Sequence, residues 1–327
     1  MSSVEAPLIE SVEPIEFRGI KRCRKPVKLS RFTVLIGRNN SGKTSILEAI
    51  SMLPVFYFDD TRFPPTKWNT TTYMERLHGG LNSLIYGYTG RASITYVLHD
   101  GMDVTWVWRA GKAIEILGAS ESDVIKLVGA ETRSQALSSI LLLPNDTRFL
   151  MELAGSLKKA DEWAKVVKSG ANVSIVELID KVVHDRFTET LVQFDEITLR
   201  KELPDKRVIY VRTADLGDGV ERVLIYGLWL ETYKPRVVLW DDLEASAHPG
   251  LVEAVLEWLA GRDWQVVLTT HSYDVLERLV AVEPDDASVV VLRKGADDVL
   301  DSRVLSLDEL RRMIESHMDV RRVVDII

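Results

Sequence analysis

The sequence predicts an α/β fold in two lobes, one β-rich and antiparallel, the other built on a parallel sheet, with a helical insertion between them. Three observations predict it. A glycine-rich loop, Gly37-Arg38-Asn39-Asn40-Ser41-Gly42-Lys43-Thr44, lies between an apolar stretch at 32–36 and a helix-forming stretch at 42–52. Segments at 92–98, 104–109 and 113–117 are separated by Asp100-Gly101 and Ala110-Gly111, as in an antiparallel meander. After Pro204 the chain alternates β-branched runs with apolar-faced helical stretches, the pattern of a parallel sheet covered by helices.

The elements follow in order. Alternation at 15–17 and 27–29, then the run 32–36, predicts strands that lead into the glycine-rich loop. The helix that starts at Gly42 is stopped by Pro54, which removes a donor and fixes φ. Residues 55–90, with Pro64-Pro65 and Gly79-Gly80, read as an excursion carrying a helix around 73–84. The meander completes a first lobe at 1–145. A mostly helical segment follows at 146–203, with an apolar face through Val173, Val176, Ile179 and Val183. No heptad repeat persists there, so long coiled-coil arms are not expected. A second lobe at 204–327 should run strand 208–211, helix 220–232, strand 237–240, helix 251–260, strand 266–270, helix 273–280 and strand 288–293.

A chain of 327 residues, 46% of them hydrophobic, can bury a large core. Its formal charge of −8 argues against a protein that coats nucleic acid over its whole surface. A local exception is the crowd of Arg18, Lys21, Arg22, Arg24, Lys25, Lys28 and Arg31. That crowd either meets DNA or nucleotide phosphates or is the solvated edge of a hairpin. The single cysteine, Cys23, excludes a disulfide framework and a thiolate metal site; it reads as an ordinary strand residue. No apolar run approaches the roughly 20 residues that span a bilayer, and the first residues lack the basic and apolar regions of a leader. A cytoplasmic protein with no membrane partner is the expectation.

The spacing of Gly37, Gly42, Lys43 and Thr44 is that of a phosphate-binding loop. In such a loop the backbone N–H groups of Arg38, Asn39, Asn40, Ser41 and Ser45 would cradle phosphates, Lys43 would reach the β- and γ-phosphates, and the Thr44 hydroxyl would take Mg²⁺. The positive end of the following helix favours the same anion. A glycine-rich turn without ligand is the plain alternative. Val237-Val238-Leu239-Trp240 runs into Asp241-Asp242, the form of a Walker B strand. Asp241 would hold Mg²⁺ through water, and Asp242 would stand where a base polarises the attacking water. Thr269-Thr270-His271-Ser272 sets an imidazole at the carboxyl edge of the sheet, where ligands of α/β folds bind, so His271 would sense the γ-phosphate. Alone, a histidine at a strand end is more often structural; its place after the loop and the carboxylates gives the functional reading. Asp215-Leu216-Gly217-Asp218-Gly219-Val220-Glu221-Arg222 opens a long helix on two glycines, either a second phosphate-facing surface or a tight turn.

In this order the elements resemble the nucleotide-binding heads of the ABC ATPase superfamily, in the SMC, RecF and OLD class with its small AAA-domain members. The resemblance covers nearly the whole chain. It rests on Phe17-Arg18-Gly19-Ile20, the loop 37–44, Leu216-Gly217-Asp218-Gly219-Val220-Glu221-Arg222, Asp241-Asp242-Leu243-Glu244 with His248-Pro249, and Thr269-Thr270-His271-Ser272. It implies an ATP- and Mg²⁺-dependent head, 1–327 as one unit, that forms a homodimer around two ATP molecules. Gly217, Asp218 and Gly219 would then cap the other subunit's nucleotide, and 244–249 would lie near the seam. Pro144-Asn145-Asp146 falls where relatives turn from a strand towards the nucleotide's metal.

Two departures from the family pattern bear on rate. Relatives place glutamate where this chain has Asp242, so a base positioned for the longer side chain falls short and hydrolysis should be slow. Gly217 offers only a backbone N–H where many relatives offer a serine hydroxyl. Residues 272–327 are too few for the Toprim nuclease of OLD proteins, so a separate nuclease or other effector is the expected partner, with DNA as a further one. The resemblance therefore implies a slow ATPase in DNA repair or anti-phage defence. The alternatives are a nucleotide-gated binding module with negligible turnover and a transport ATPase subunit; the latter is disfavoured because the Leu-Ser-Gly-Gly-Gln signature is absent.

Overall fold

A computed structural model of the chain describes residues 6–55, 62–66, 68, 72, 79–109, 115–183, 185–318 and 320. The first elements are β1 (Ile9–Ile15), β2 (Arg22–Cys23), β3 (Val27–Lys28), β4 (Phe32–Ile36) and α1 (Lys43–Ser51). The strand expected at 15–17 lies earlier. Glu16 and Arg18 take positive φ, which turns the chain, and Phe17 makes only isolated bridges to Ile20 and Ile85. The helix expected around 73–84 falls at 73–78 outside the described residues; at its end are short 3₁₀ turns, Leu81–Leu84 and Tyr86–Tyr88.

The meander is present as β5 (Arg91–Leu98), β6 (Asp103–Arg109) and β7 (Glu115–Leu117); residues 113 and 114 of its expected last strand lie outside the described residues. With β1 and β3 these strands make a five-stranded antiparallel sheet in the order β3-β1-β5-β6-β7. Buried residues alternate along β5 and β6, as in a sheet with one face on the core and one in solvent.

Next come α2 (Glu121–Leu127), α3 (Arg133–Leu137) and β8 (Ile140–Leu143). Helices α4 (Thr147–Leu157), α5 (Ala160–Ser169) and α6 (Ala171–Val183) fill most of the segment expected to be helical. Its end is not helical. Residues 187–202 form the hairpin β9 (Phe187–Gln193) and β10 (Glu196–Glu202), and β11 (Val208–Arg212) joins them in a three-stranded antiparallel sheet. The strand expected at 208–211 therefore exists but lies outside the parallel sheet. Helix α6 packs on β9 and supplies the apolar cover that the hairpin needs.

Thereafter the chain runs α7 (Asp218–Tyr233), β12 (Val237–Trp240), α8 (Pro249–Ala260), β13 (Gln265–Thr269), α9 (Tyr273–Val282), β14 (Ala287–Lys294), β15 (Val299–Ser306) and α10 (Leu307–Glu315). The main sheet has seven strands in the order β2-β15-β14-β4-β13-β12-β8. Strands β14, β4, β13, β12 and β8 are parallel neighbours, and β15 returns antiparallel to β14. β4, β8, β12 and β13 are buried at every residue, because helices cover both faces of a parallel sheet. Residue 145 is not a boundary of this sheet, since β2, β4 and β8 lie in it with β12–β15.

An aromatic cluster joins the helices to Walker B. Phe149 of α4 lies 5.8 Å from Trp229 and 6.5 Å from Tyr226 of α7, and Tyr226 meets Trp240 edge-on at 5.6 Å. Trp240 is fully buried, and its indole N–H has no hydrogen-bond partner among the described residues. Trp240→Ala should cost about 3–5 kcal/mol in urea unfolding. Trp240→Phe should cost less than half of that, because it also removes an unsatisfied donor. Equal losses for both variants would show that the indole, not the filled volume, matters here.

Candidate functional site

The carboxyl ends of four neighbouring parallel strands, β4, β13, β12 and β8, supply the site. β4 ends at Ile36 and enters the glycine-rich loop. A Cβ on Gly37 would stand 2.4 Å from the carbonyl oxygen of Leu292 and 2.5 Å from Ser41 Oγ, so the loop passes β14 too closely for any side chain. Gly42, at φ 96°, is the N-cap of α1, a backbone that favours glycine. Lys43 folds back over the loop, its Nζ donating to the carbonyls of Gly37 (2.9 Å) and Arg38 (3.2 Å). Burial pulls its pKa down, and the carboxylates of Asp242, Asp241 and Glu244 pull the other way. Ser41 Oγ is buried without a hydrogen-bond partner among the described residues. Arg38, Asn39 and Asn40 are exposed and line, with Leu292, Lys294 and Asp298, a cleft of about 490 Å³.

Asp241 follows β12. The Thr44 hydroxyl donates to its two oxygens at 3.2 and 3.1 Å, and the Thr269 hydroxyl donates to Oδ1 at 2.7 Å. Burial raises the Asp241 pKa, against the bond from Thr269. Thr269 Oγ1 also accepts the N–H of Asp242 at 2.8 Å, so one hydroxyl fixes both carboxylate residues. Asp242 is left-handed at φ 48°, a conformation that aspartate and asparagine tolerate best after glycine. Its Oδ2 accepts from Asn145 Nδ2 at 3.2 Å, and its Oδ1 lies 3.8 Å from His271 Nε2. Glu244 Oε1 accepts the N–H of His271 at 2.7 Å.

Asn145 stands just past β8 and is bound from α7. Arg222 Nη1 donates to Asn145 Oδ1 (3.2 Å) and Nη2 to the carbonyl of Asp241 (2.8 Å), while Tyr226 donates to the carbonyl of Pro144 (2.7 Å). The structure thus brings together Lys43, Thr44, Asp241, Asp242 and His271. Gly217, Asp218 and Gly219 stand apart from that group at the N-terminus of α7. There a Cβ on Gly219 would fall 2.2 Å from the carbonyl oxygen of Ser246, so the helix start rests on the loop after Walker B.

Arg222 and Thr269 also carry hydrogen bonds in the site. A threonine closing an otherwise apolar buried strand was the available signal, since a buried hydroxyl needs a partner. Arg222 gives no such signal, because its partners come from β8 and β12, distant in sequence.

The donor set suits a phosphate-bound Mg²⁺. Among the described residues no group of three or more His, Cys, Asp and Glu side chains is placed to hold a metal. Mg²⁺ commonly needs only one or two carboxylates, with phosphate oxygens and water completing its shell, and the Thr44–Asp241 pair offers that.

The basic crowd before β4 divides. Arg31 is buried and donates to the carbonyls of Ala260 and Arg262, and Arg18 pairs with Glu48 at 2.9 Å. Lys21, Arg22, Arg24, Lys25 and Lys28 stay exposed, Arg24 beside Asp301 at 3.2 Å. Among the described residues no helix is long and apolar enough to cross a membrane.

Comparison with known proteins bears on this arrangement. A family model described as "AAA domain, putative AbiEii toxin, Type IV TA system" matches residues 32–86 and 140–277, more than half of the chain. No curated protein matches it. Solved structures match its fold. An Smc head bound to the C-terminal winged-helix domain of ScpA superposes with a TM-score of 0.60 at 14% identity, over 94% of this chain and 100% of that one. The Smc head of Pyrococcus furiosus, with an extended coiled coil and bound to the C-terminal domain of ScpA, gives 0.56 at 12%, over 95% and 99%. The SMC head of Thermotoga maritima gives 0.51 at 14%, over 91% and 99%. The fold is therefore that of SMC-type P-loop ATPase heads.

Proposed function

The chain belongs to the AAA-domain family described as including the putative AbiEii toxin of a type IV toxin–antitoxin system, and from that premise we propose that it is a slow ATPase that pairs head to tail around two ATP molecules. The observation that carries this reading is the convergence of Lys43, Thr44, Asp241, Asp242 and His271 at neighbouring strand ends. Lys43 and the N–H groups of Arg38 to Ser45 bind the phosphates. Thr44 and Asp241 would hold Mg²⁺, which when bound neutralises charge on the phosphate oxygens. Asp242 orients the attacking water and takes its proton, and Asn145 holds the carboxylate in place. His271 faces the same carboxylate from β13. Gly217, Asp218 and Gly219 act on the nucleotide of the other subunit, through main chain and helix dipole.

The test is ATP binding by equilibrium dialysis, with phosphate release followed with and without Mg²⁺. Saturable binding with slow, Mg²⁺-dependent release is expected; no binding at millimolar ATP contradicts the reading. A second reading, a nucleotide-gated module whose turnover only resets it, is favoured by the short Asp242 side chain.

DNA repair or anti-phage defence beside a separate effector is the wider role in this proposal. It draws on the family description, on the ScpA fragments bound to the Smc heads, and on the exposed basic strands β2 and β3. Replacing Lys21, Arg22 and Arg24 together by glutamate should weaken DNA retention and flatten its salt dependence, by about 0.9 in log–log slope for each phosphate that is no longer neutralised. Unchanged retention removes β2 and the residues beside it from any DNA-binding surface.

A further inference from the structure

Glu244 lies outside the groups so far given a role, and its surroundings are unusual. Its Oε1 accepts the backbone N–H of His271 at 2.7 Å. Its Oε2 is buried and has no hydrogen-bond partner among the described residues. Buried carboxylate oxygens are rarely left unsatisfied, because the lost hydration is costly. A group kept in that state at the edge of a candidate site has a use that outweighs the cost.

The bond shows what the use is. The N–H of His271 is the first backbone donor after Thr270 that the sheet leaves over: Thr270 still pairs with the carbonyl of Leu35, whereas His271 turns away towards α9. Glu244 reaches it from the loop that follows Asp242, a loop whose backbone bonds Ala245 to Asp242 and Ala247 to Glu244. One side chain thus ties the Walker B loop to the histidine that stands 3.8 Å from Asp242. The N–H groups of Asp242 and Leu243 anchor the same loop on Thr269, at its Oγ1 (2.8 Å) and its carbonyl (3.2 Å), and Glu244 carries the tie on to His271.

We propose that Glu244 is a positioning residue, holding the backbone of His271 so that its imidazole faces Asp242, and that its second oxygen is the acceptor for a donor that enters with the nucleotide, such as an ordered water. The first half rests on the local geometry alone; the second rests on the ATPase reading. A glutamine side chain keeps a carbonyl acceptor for the N–H and changes little in size, while alanine removes the tie.

The experiment uses the whole chain. Amide hydrogen exchange at His271 is read by NMR without nucleotide, for wild type, Glu244→Gln and Glu244→Ala, and ATP affinity and turnover are measured on the same samples. Exchange at His271 should quicken at least tenfold in Glu244→Ala and stay within about threefold of wild type in Glu244→Gln, as expected for losing or keeping one hydrogen bond to a charged group, worth about 1.5 kcal/mol or more. Turnover should fall tenfold or more in Glu244→Ala with ATP affinity held within threefold; Glu244→Gln keeps the tie but turns an NH2 donor towards the incoming donor, so its turnover should fall as well, and wild-type turnover there overturns the acceptor role. Unchanged exchange at His271 in Glu244→Ala overturns the positioning role, whatever the turnover. Faster exchange in a protein that binds no ATP keeps that role and instead removes the ATPase reading. Changed exchange with turnover unaffected overturns the link to catalysis.

Discussion

Asp242→Asn is expected to lower phosphate release by about 10²-fold or more while leaving ATP affinity within twofold, since removing a positioned base typically costs 10²–10⁴-fold. The substitution is unusually clean here. Residue 242 sits at φ 48°, and asparagine is nearly as tolerant of the left-handed region as aspartate, so the backbone turn survives. The amide oxygen can still accept from Asn145 Nδ2, now 3.2 Å from the carboxylate. What is lost is the proton acceptor. Loss of ATP binding together with turnover would instead mean that the carboxylate supports the fold of the loop. Asp242→Glu separates the ATPase from the nucleotide-gated module: a large gain in turnover marks a deliberately slow switch, and a loss marks a site built around aspartate. The left-handed backbone supplies a physical reason for the shorter residue, because a longer side chain adopts it at greater cost.

Lys43→Ala is expected to weaken ATP binding by about 10²-fold, which corresponds to about 2.7 kcal/mol and is what one or two lost charge-assisted hydrogen bonds amount to. The ammonium now bonds the Gly37 and Arg38 carbonyls; phosphate would draw it off them or share it. Its charge is also within reach of three carboxylates, Asp242, Asp241 and Glu244. Their mutual repulsion is less compensated in the variant, but the burial cost of the ammonium, the larger influence on Lys43, goes with it, so the thermal midpoint without nucleotide should hold or rise, the more so at high salt, which screens the repulsion. Isothermal titration with ATP and a melting series in salt check the two effects. Unaltered ATP affinity would mean that phosphates do not occupy this loop.

Much of this site was legible in the sequence, for a reason that is local. The phosphate loop and the strands β4 and β12 are short blocks in which residue type and conformation are tied together: glycines where no Cβ fits, and unbroken apolar runs where both faces are covered. The hairpin β9–β10 was hidden because its turn is Phe194-Asp195, both at positive φ, rather than the Asn-Gly or Asp-Gly pair that usually announces such a turn. With that signal absent, the neighbouring helices dominated the pattern. Arg222 meets Asn145 and the carbonyl of Asp241 only through sheet register and the packing of α7, which no local pattern encodes. The basic crowd misled in part for the same reason: burial of Arg31 beneath the loop after α8 follows from tertiary packing alone.

The head-to-tail pair is tested most directly by molar mass in solution, measured by light scattering on the Asp242→Asn protein with and without Mg-ATP, so that hydrolysis does not empty the site. Monomer shifting to dimer when Mg-ATP is added, and back when it is removed, is the predicted result. A mass that stays the same in both conditions, in protein shown to bind ATP, contradicts capping by Gly217, Asp218 and Gly219 of a second subunit.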